Sequence, residues 1–394
     1  MFSSEQLRKT TLLVGSTLTV MAGAIISPVL PEISREFAHL PDAELLSKLI
    51  LTLPALVIAF LAPVAGIIID RTGRKKVLLF SLLLYAVAGT TGAYLSSIYL
   101  ILAGRVFLGM AVGGLMTAIV TLIGDYYEGE ERSRIMGYQA AFASMGGLVF
   151  ITSGGILADF HWRYPFLIYA ASLIVLFFAW INIYEPPRAV RTAGYPIRGF
   201  NLLKTIPPKV YWVYLVSFFS MSVFYMVPVQ MPFMLSKLEG ISNAQVGLAI
   251  AFMNVTAITT SFNYSRMKKR MDFPTIQGIV FLLIATGYFI ISQSTTYYMM
   301  ISGILVGGLG FGMQWANINL WLVSIAPPDI RGTLVGYLNS AIFLGMFLSP
   351  VLLQPVIYFT SLYQSFMVVG FILVALALVF LFSGSRKLKG NKGN

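Results

Sequence analysis

Residues 363–382 read YQSFMVVGFILVALALVFLF, a run without a single charged side chain. The hydrocarbon core of a bilayer is about 30 Å thick, and a helix needs about 20 mostly apolar residues to cross it. A strand of an outer-membrane barrel would instead alternate apolar and polar residues over about ten positions. This stretch therefore predicts a transmembrane helix.

The composition of the whole chain agrees with this prediction. The chain has 394 residues, of which 57% are hydrophobic and only 11% are charged. Soluble domains carry roughly 25% charged residues, so a soluble enzyme is excluded. The chain has no cysteine and two histidines, which argues against thiolate or histidine metal sites. There is also no G-x-x-x-x-G-K-[ST] run for nucleotide phosphates, so the sequence predicts neither an enzyme nor a bound cofactor.

Eleven further apolar runs lie between charged residues or Pro/Gly breaks, which predicts an all-α polytopic membrane protein with twelve spans. The spans cover residues 11–31, 46–69, 77–95, 98–124, 134–158, 164–184, 211–235, 244–264, 273–293, 296–325, 333–358 and 362–383. The longest break, 185–210, is rich in Pro and basic residues. We expect it to be a cytoplasmic linker between two six-helix bundles, at residues 1–184 and 211–394.

The basic residues predict how the chain is oriented. With an even number of spans both termini lie on one side, and 22 of the 27 Lys and Arg residues fall on that side. Basic residues stay in the cytoplasm, so both termini are predicted to be cytoplasmic. This placement accounts for the net charge of +12 without nucleic acid as a partner.

An internal repeat supports the division into two bundles. At an offset of 199 residues, Arg132-Ser-Arg-Ile-Met-Gly-Tyr138 aligns with Arg331-Gly-Thr-Leu-Val-Gly-Tyr337. At the same offset Gly109, Gly113 and Gly146 align with Gly308, Gly312 and Gly345. Parallel repeats of six helices are one architecture of secondary transporters, with the substrate site between the halves near the bilayer midplane.

The loop between the second and third spans carries the most specific motif, Gly66-Ile-Ile-Ile-Asp70-Arg71-Thr-Gly73-Arg74-Lys75-Lys76. Its glycines permit close packing and a tight turn, and Asp70 can accept hydrogen bonds from arginines or from a helix N-terminus. The motif resembles the G-x-x-x-D-R-x-G-R-[RK] signature of the major facilitator superfamily. That resemblance implies the major facilitator fold and a role for Gly66, Asp70, Arg71, Gly73 and Arg74 in latching the two halves in the outward-open state.

Two further stretches resemble motifs of the 12-helix drug:proton antiporters within that superfamily. Arg105 in the fourth span begins a partial R-x-x-Q-G motif in which Leu108 replaces the glutamine. The fifth span keeps the final Gly154-Gly155 of G-x-x-x-G-P-x-x-G-G but has Phe150-Ile151 in place of Gly-Pro. Since a charge inside a span costs several kcal/mol unless it is paired or wetted, Arg105 is a functional candidate; the alternative is a side chain that snorkels to the outer interface.

Few carboxylates are placed to carry a proton. Glu32, one turn past Pro28, is the first candidate for a proton carrier. The alternative is that Glu32 is an interfacial residue beside Arg35 and Glu36. Asp125, at the cytoplasmic end of the fourth span, is the second candidate. The alternative is that Asp125 is a structural partner of loop arginines such as Arg132. The scarcity of buried carboxylates argues against proton antiport and would also suit a carrier of neutral or anionic molecules.

Polar and aromatic residues within the later spans are candidates for the substrate pathway. Gln314, Asn317 and Trp321 lie at i, i+3 and i+7 and share one helix face. Tyr225 and Gln230 flank Pro228, and Asn254 is in the middle of the eighth span. Interhelical hydrogen bonding is an equally open interpretation for each of them.

These observations together predict a monomeric transporter of the cytoplasmic (inner) membrane that works by alternating access and exports lipophilic or amphipathic small molecules, driven by the proton gradient. The alternatives are a carrier for a specific metabolite, siderophore or lipid, and a receptor-like homologue that does not transport. We expect a receptor to carry a larger extra domain than the short tail 384–394.

Overall fold

The computed structural model describes residues 4–186, 206–327 and 330–390. Within these ranges all regular structure is helical, and twelve helical segments are long and apolar enough to cross a membrane. The predicted fold class is therefore confirmed. Most of the predicted linker, residues 187–205, lies outside the described residues.

The described part of the N-terminal half has eight α-helices and two 3₁₀ segments, at Ser27–Val29 and Tyr164–Ala171. The α-helices are α1 (Ser4–Ala24), α2 (Leu30–Glu36), α3 (Ala43–Thr72), α4 (Arg74–Gly89), α5 (Thr91–Tyr94), α6 (Ile98–Tyr126), α7 (Gly129–Ala158) and α8 (Ser172–Asn182). The C-terminal half has α9 (Pro208–Leu235), α10 (Asn243–Lys268), α11 (Phe273–Ser292), α12 (Tyr297–Ile325), α13 (Arg331–Phe359) and α14 (Leu362–Gly390).

Prolines explain where the structure departs from the predicted spans. The first span begins at Ser4 rather than residue 11, and it breaks after Ala24 because Pro28 has no N–H to continue the helix. The chain resumes as a 3₁₀ turn and then as α2. The sixth span likewise begins as the 3₁₀ segment that opens around Pro165, not as an α-helix.

The repeat found in the sequence is also a repeat of contacts. A Cβ atom added to Gly109 of α6 would lie 2.7 Å from the Pro54 carbonyl oxygen of α3. One added to Gly308 of α12 would lie 2.8 Å from the Met253 carbonyl oxygen of α10. Both the glycines and their partners are 199 residues apart, so equivalent helices pack closely at equivalent positions in the two halves.

The repeated arginines make equivalent contacts as well. Arg132 donates a hydrogen bond from Nε to the carbonyl oxygen of Tyr127, at 2.7 Å. Arg331 donates from Nη2 to the carbonyl oxygen of Ala326, at 3.5 Å. Each arginine lies in the first turn of a long helix and bonds the residue five positions earlier, just after the preceding helix. The two halves are therefore pseudo-symmetric in side-chain contacts as well as in helix order.

Two long helix pairs make most of the contact between the halves in the described ranges, α3 with α13 and α7 with α10. The 3₁₀ turn Ser27–Val29 also contacts α9 and α10, and α2 contacts α9. We call the membrane side that holds the start of α1 the terminal side and the opposite one the distal side. Toward the distal side a Cβ atom on Gly155 of α7 would lie 2.4 Å from the Asn243 carbonyl oxygen of α10. Toward the terminal side, Gly66, Gly137 and Gly336 have open space beside them. The joining helices therefore converge on the distal side.

Candidate functional site

The loop with the most specific motif forms a turn that only glycine accommodates well. Gly73 links α3 to α4 with φ +105°, in the region that side chains rarely adopt. The carboxylate of Glu185, just after α8, accepts hydrogen bonds from the backbone N–H groups of Arg74 and Lys75, at 2.7 and 2.8 Å. Glu185 thereby satisfies two free N–H groups at the start of α4.

Asp125 and Arg74, both predicted as site residues, form an ion pair in the same region. The Nε atom of Arg74 lies 3.0 Å from the Asp125 Oδ2 atom. Asp125 is therefore the structural partner of a loop arginine, but that arginine is Arg74 and not Arg132, which donates to the carbonyl oxygens of Tyr127 and Gly124. Arg71 is exposed, and the side chain of Asp70 lies outside the described residues.

We expect Gly73→Ala to lower the thermal stability of the protein, because a positive φ costs a residue with a side chain of order 1–3 kcal/mol. The added Cβ atom would also lie 3.0 Å from the Glu185 carboxyl group. Intrinsic-fluorescence unfolding in detergent measures the loss. Gly66→Ala is the matched control, since Gly66 is in a helix with open space beside it. Equal melting temperatures for Gly73→Ala and wild type would contradict this reading of the turn.

Arg105 lies deep inside the N-terminal half with none of its surface exposed. Its Nη2 atom donates to the carbonyl oxygen of Gly89, at 2.9 Å. The guanidinium lies over the rings of Phe166 and Tyr169, 4.9 and 5.0 Å from their centroids. The Nε and Nη1 atoms have no hydrogen-bond partner within the described ranges. The snorkelling interpretation was therefore wrong, and aromatic rings take the place of a carboxylate partner.

Glu32 lies at the distal junction between the two halves. Its Oε1 atom accepts a hydrogen bond from the Asn243 amide of α10, at 2.6 Å. Asp159, which follows α7, accepts from the backbone N–H groups of Asn243 and Ala244, at 2.6 and 3.3 Å. Two carboxylates of the N-terminal half therefore hold the N-terminal end of a helix of the C-terminal half. Asp159 and Asn243 were not predicted, because nothing in their local sequence indicates this meeting.

Lys48 is a second fully buried cation that the sequence did not single out. It lies in α3 with none of its surface exposed, and its Nζ atom is 2.5 Å from the Glu44 Oε1 atom. The same Nζ atom lies 4.9 Å from the ring centroid of Phe233 in α9. The buried amine thus faces a ring of the other half, near the distal ends of both helices.

Three of the predicted substrate candidates, Tyr225, Gln230 and Asn254, lie in α9 and α10. The Tyr225 hydroxyl of α9 reaches α1, where a Cβ atom on Gly23 would lie 3.0 Å from it. Gln230 is 1% exposed, and neither of its amide atoms has a hydrogen-bond partner in the part of the chain that is described. Asn254 is half-buried in α10. Tyr225 is therefore at the boundary between the halves, and Gln230 is a buried amide with unused hydrogen-bonding capacity.

The remaining candidates pack within the C-terminal half. Gln314 accepts from the Gln277 amide at 2.7 Å, and Asn317 donates to the Gln277 Oε1 atom at 3.2 Å while it accepts from the Tyr264 hydroxyl at 3.1 Å. Trp321 stacks on Phe273, with ring centroids 5.8 Å apart. These contacts join α10, α11 and α12, as expected if Gln314, Asn317 and Trp321 hold helices together and do not line a substrate pathway. Gln277 is the member of this network that the helix-face argument missed.

Comparison with known proteins gives one family and several distant relatives. The sequence profile of the Major Facilitator Superfamily matches residues 12–350 and 214–393. The chain is 24% identical to the bacillibactin exporter of Bacillus subtilis (strain 168) over 345 residues, which cover 84% of this chain and 85% of that protein. It is 23% identical to the niacin transporter NiaP of Acinetobacter baylyi, with 81% of each chain covered.

Among solved structures, a bacterial homologue of the human lysosomal transporter Spinster, in an inward-facing and occupied conformation, superposes with a TM-score of 0.80. The match covers 98% of each chain at 18% sequence identity. A likeness at this identity establishes the shared fold, and it leaves the substrate to be argued from the chain's own residues.

Proposed function

The chain belongs to the Major Facilitator Superfamily of secondary transporters, and on that premise we propose that it exports lipophilic or amphipathic small molecules in exchange for protons. The name of the bacillibactin exporter, which aligns along most of the chain, supports export over import. The partial antiporter motifs at Arg105 and Gly154-Gly155 support the same direction.

The hydrogen bond between Glu32 and Asn243 is the observation that carries proton coupling. Glu32 belongs to the N-terminal half and Asn243 to the C-terminal half, so the contact exists only while the distal ends meet. A hydrogen bond to an ionised group is roughly twice as strong as a neutral one. A proton on Glu32 would therefore weaken the distal closure.

We further propose that the terminal side faces the cytoplasm of the cell and that the distal side faces outward. Most of the Lys and Arg residues lie on the terminal side, as the positive-inside rule requires of a cytoplasmic face. The motif Gly66 to Arg74 then lies at the cytoplasmic surface. The open space beside Gly66 suits a latch that engages when the halves close on that side.

Transport by purified protein in proteoliposomes tests the proposal. A pH gradient is imposed, an internal dye reports pH, and the probes are rhodamine 123 and fluorescein, which share one ring system but differ in charge. We expect either probe to move against its gradient and to move protons in the opposite direction. Probe movement without a proton signal would contradict antiport, and loss of all movement would favour the non-transporting reading.

We expect Glu32→Gln to abolish proton movement driven by the probe while probe–probe exchange continues, because the glutamine amide cannot carry a proton as a carboxylate can. Glu36→Gln is the matched control, since Glu36 is exposed on the same short helix. Proton exchange and pH dependence equal to those of wild type would remove Glu32 from the coupling mechanism.

A carrier of neutral or anionic amphiphiles is the second candidate, and the charges favour it. The acidic residues of the chain lie in loops or near helix ends, whereas Arg105 and Lys48 are both fully buried. A cationic substrate that leaves water needs an opposite charge to offset its desolvation, and no acidic side chain within the described ranges lies midway along a long helix. If this second candidate is correct, we expect the anionic fluorescein to be transported faster than the cationic rhodamine 123.

A further inference from the structure

Two helices at the junction of the halves contain prolines that leave a carbonyl oxygen free. Pro232 lies inside α9 and has no N–H, so the carbonyl oxygen of Pro228 lacks the donor that a regular helix supplies four residues later. Pro63 of α3 has the same effect on Ala59. In a membrane no water is available to such an oxygen, and an unsatisfied one is costly.

Serines from the opposite half satisfy both of these oxygens. Ser27, in the 3₁₀ turn after α1, donates a hydrogen bond from Oγ to the carbonyl oxygen of Pro228. Ser340 of α13 donates from Oγ to the carbonyl oxygen of Ala59, at 2.8 Å. The arrangement is reciprocal, because each half supplies one serine and one proline-freed oxygen.

Several buried serines in the described ranges bond within their own helix or, like Ser172 and Ser349, to a helix of the same half. Ser16 of α1 and Ser217 of α9 donate to carbonyl oxygens four residues earlier in their own helices, at 2.9 and 2.6 Å. That local bond is the usual one for a serine inside a helix. Ser340 lies in mid-helix and instead bonds an oxygen of another helix that has lost its own donor.

We propose that Ser27 and Ser340 are positioning residues of the transport cycle that stabilise the distal-closed arrangement by bonding proline-freed carbonyl oxygens of the opposite half. The Ser27 bond lies toward the distal end of α9, and the Ser340 bond lies nearer the middle of α3 and α13. We expect both oxygens to lose their donors when the halves separate on the distal side. The two bonds therefore set part of the free-energy difference between the distal-closed and distal-open states.

The absence of native cysteine allows pairs of spin labels to measure this difference directly in lipid nanodiscs. Ala38 and Glu239 are exposed near the distal ends of the two halves, and Glu131 and Lys269 are exposed near the terminal ends. We expect Ser27→Ala and Ser340→Ala each to shift the population about two- to twelvefold toward the distal-open state, the effect of one net hydrogen bond. The distal pair would lengthen and the terminal pair would shorten.

A double-mutant cycle separates this role from a general loss of packing. Pro232→Ala returns an N–H to α9 that can bond the Pro228 oxygen, so Ser27→Ala should have a clearly smaller effect in that background. Pro63→Ala with Ser340→Ala repeats the test at an independent site. Ser16→Ala is the matched control, because Ser16 is fully buried but bonds only within α1.

Wild-type distance distributions in both serine variants would overturn the proposal. An unchanged effect of each serine variant in its proline-to-alanine background would do so as well. The measurement uses neither a substrate nor a pH gradient. Failure of the proposed export or proton coupling would appear in the liposome assay and leave this result unaffected.

Discussion

Asp159→Ala is expected to shift the protein from the distal-closed to the distal-open state by about an order of magnitude. The Asp159 carboxylate accepts hydrogen bonds from two N–H groups at the start of α10, at 2.6 and 3.3 Å. Ser242 is the N-cap of α10, and Asp159 adds a second cap by binding the next two N–H groups. A side-chain cap of a helix N-terminus contributes about 0.5–2 kcal/mol. An anion at that end of the helix dipole adds about 0.3–1 kcal/mol. Because this cap comes from the other half, its loss affects the contact between the halves as well as the helix.

The same label pairs measure the shift, and Asp272→Ala is its matched control. Asp272 caps α11 by accepting from the Thr275 N–H at 2.9 Å, but both residues belong to the C-terminal half. The control should lower the thermal stability without changing the balance between the two states. Equal distance changes in the two variants would show that the cap of α10 acts only on its own helix.

The fold could be predicted from the sequence because its determinants are local or repeated. Apolar runs fix the spans, and the offset of 199 residues aligns Arg132 with Arg331, whose contacts prove equivalent. Hydropathy cannot detect a 3₁₀ segment, so the irregular start of the sixth span was missed. A proline removes the N–H group of one residue, and this local effect is invisible in the average hydropathy of a span. The break after Ala24 was therefore not predicted.

The candidate site was harder to predict because its contacts join distant segments. Glu32 was selected for its position on the first span, but its partner Asn243 is 211 residues away. Lys48 was not singled out, because its burial depends on Phe233 from the other half. Gln314 and Asn317 were placed correctly on one helix face, yet spacing alone cannot tell whether that face meets a cavity or another helix.

Arg105→Met is expected to leave folding nearly unchanged and to lower transport at least about tenfold. No carboxylate contacts Arg105 in the described part of the chain, so removing its charge leaves no opposite charge unpaired. Replacing a buried ion by an apolar side chain of similar size is often neutral or stabilising. Hydrogen bonds to charged groups are worth about 1.5–3 kcal/mol, which corresponds to roughly a 10- to 150-fold change if the charge acts on the transported molecule. A purely structural role predicts the reverse pattern, with lost stability and retained transport.

Arg105→Lys separates the charge of Arg105 from its shape. Lysine keeps the charge but lacks the planar guanidinium that lies over Phe166 and Tyr169 and reaches the Gly89 oxygen. We expect intermediate transport rates, and the charge argument adds that Arg105→Met slows fluorescein more than rhodamine 123. Initial rates in proteoliposomes measure both effects, with unfolding temperatures recorded for each variant. Wild-type transport rates in Arg105→Met would show that transport does not need Arg105. The side chain would then only pack between α4, α6 and the 3₁₀ segment.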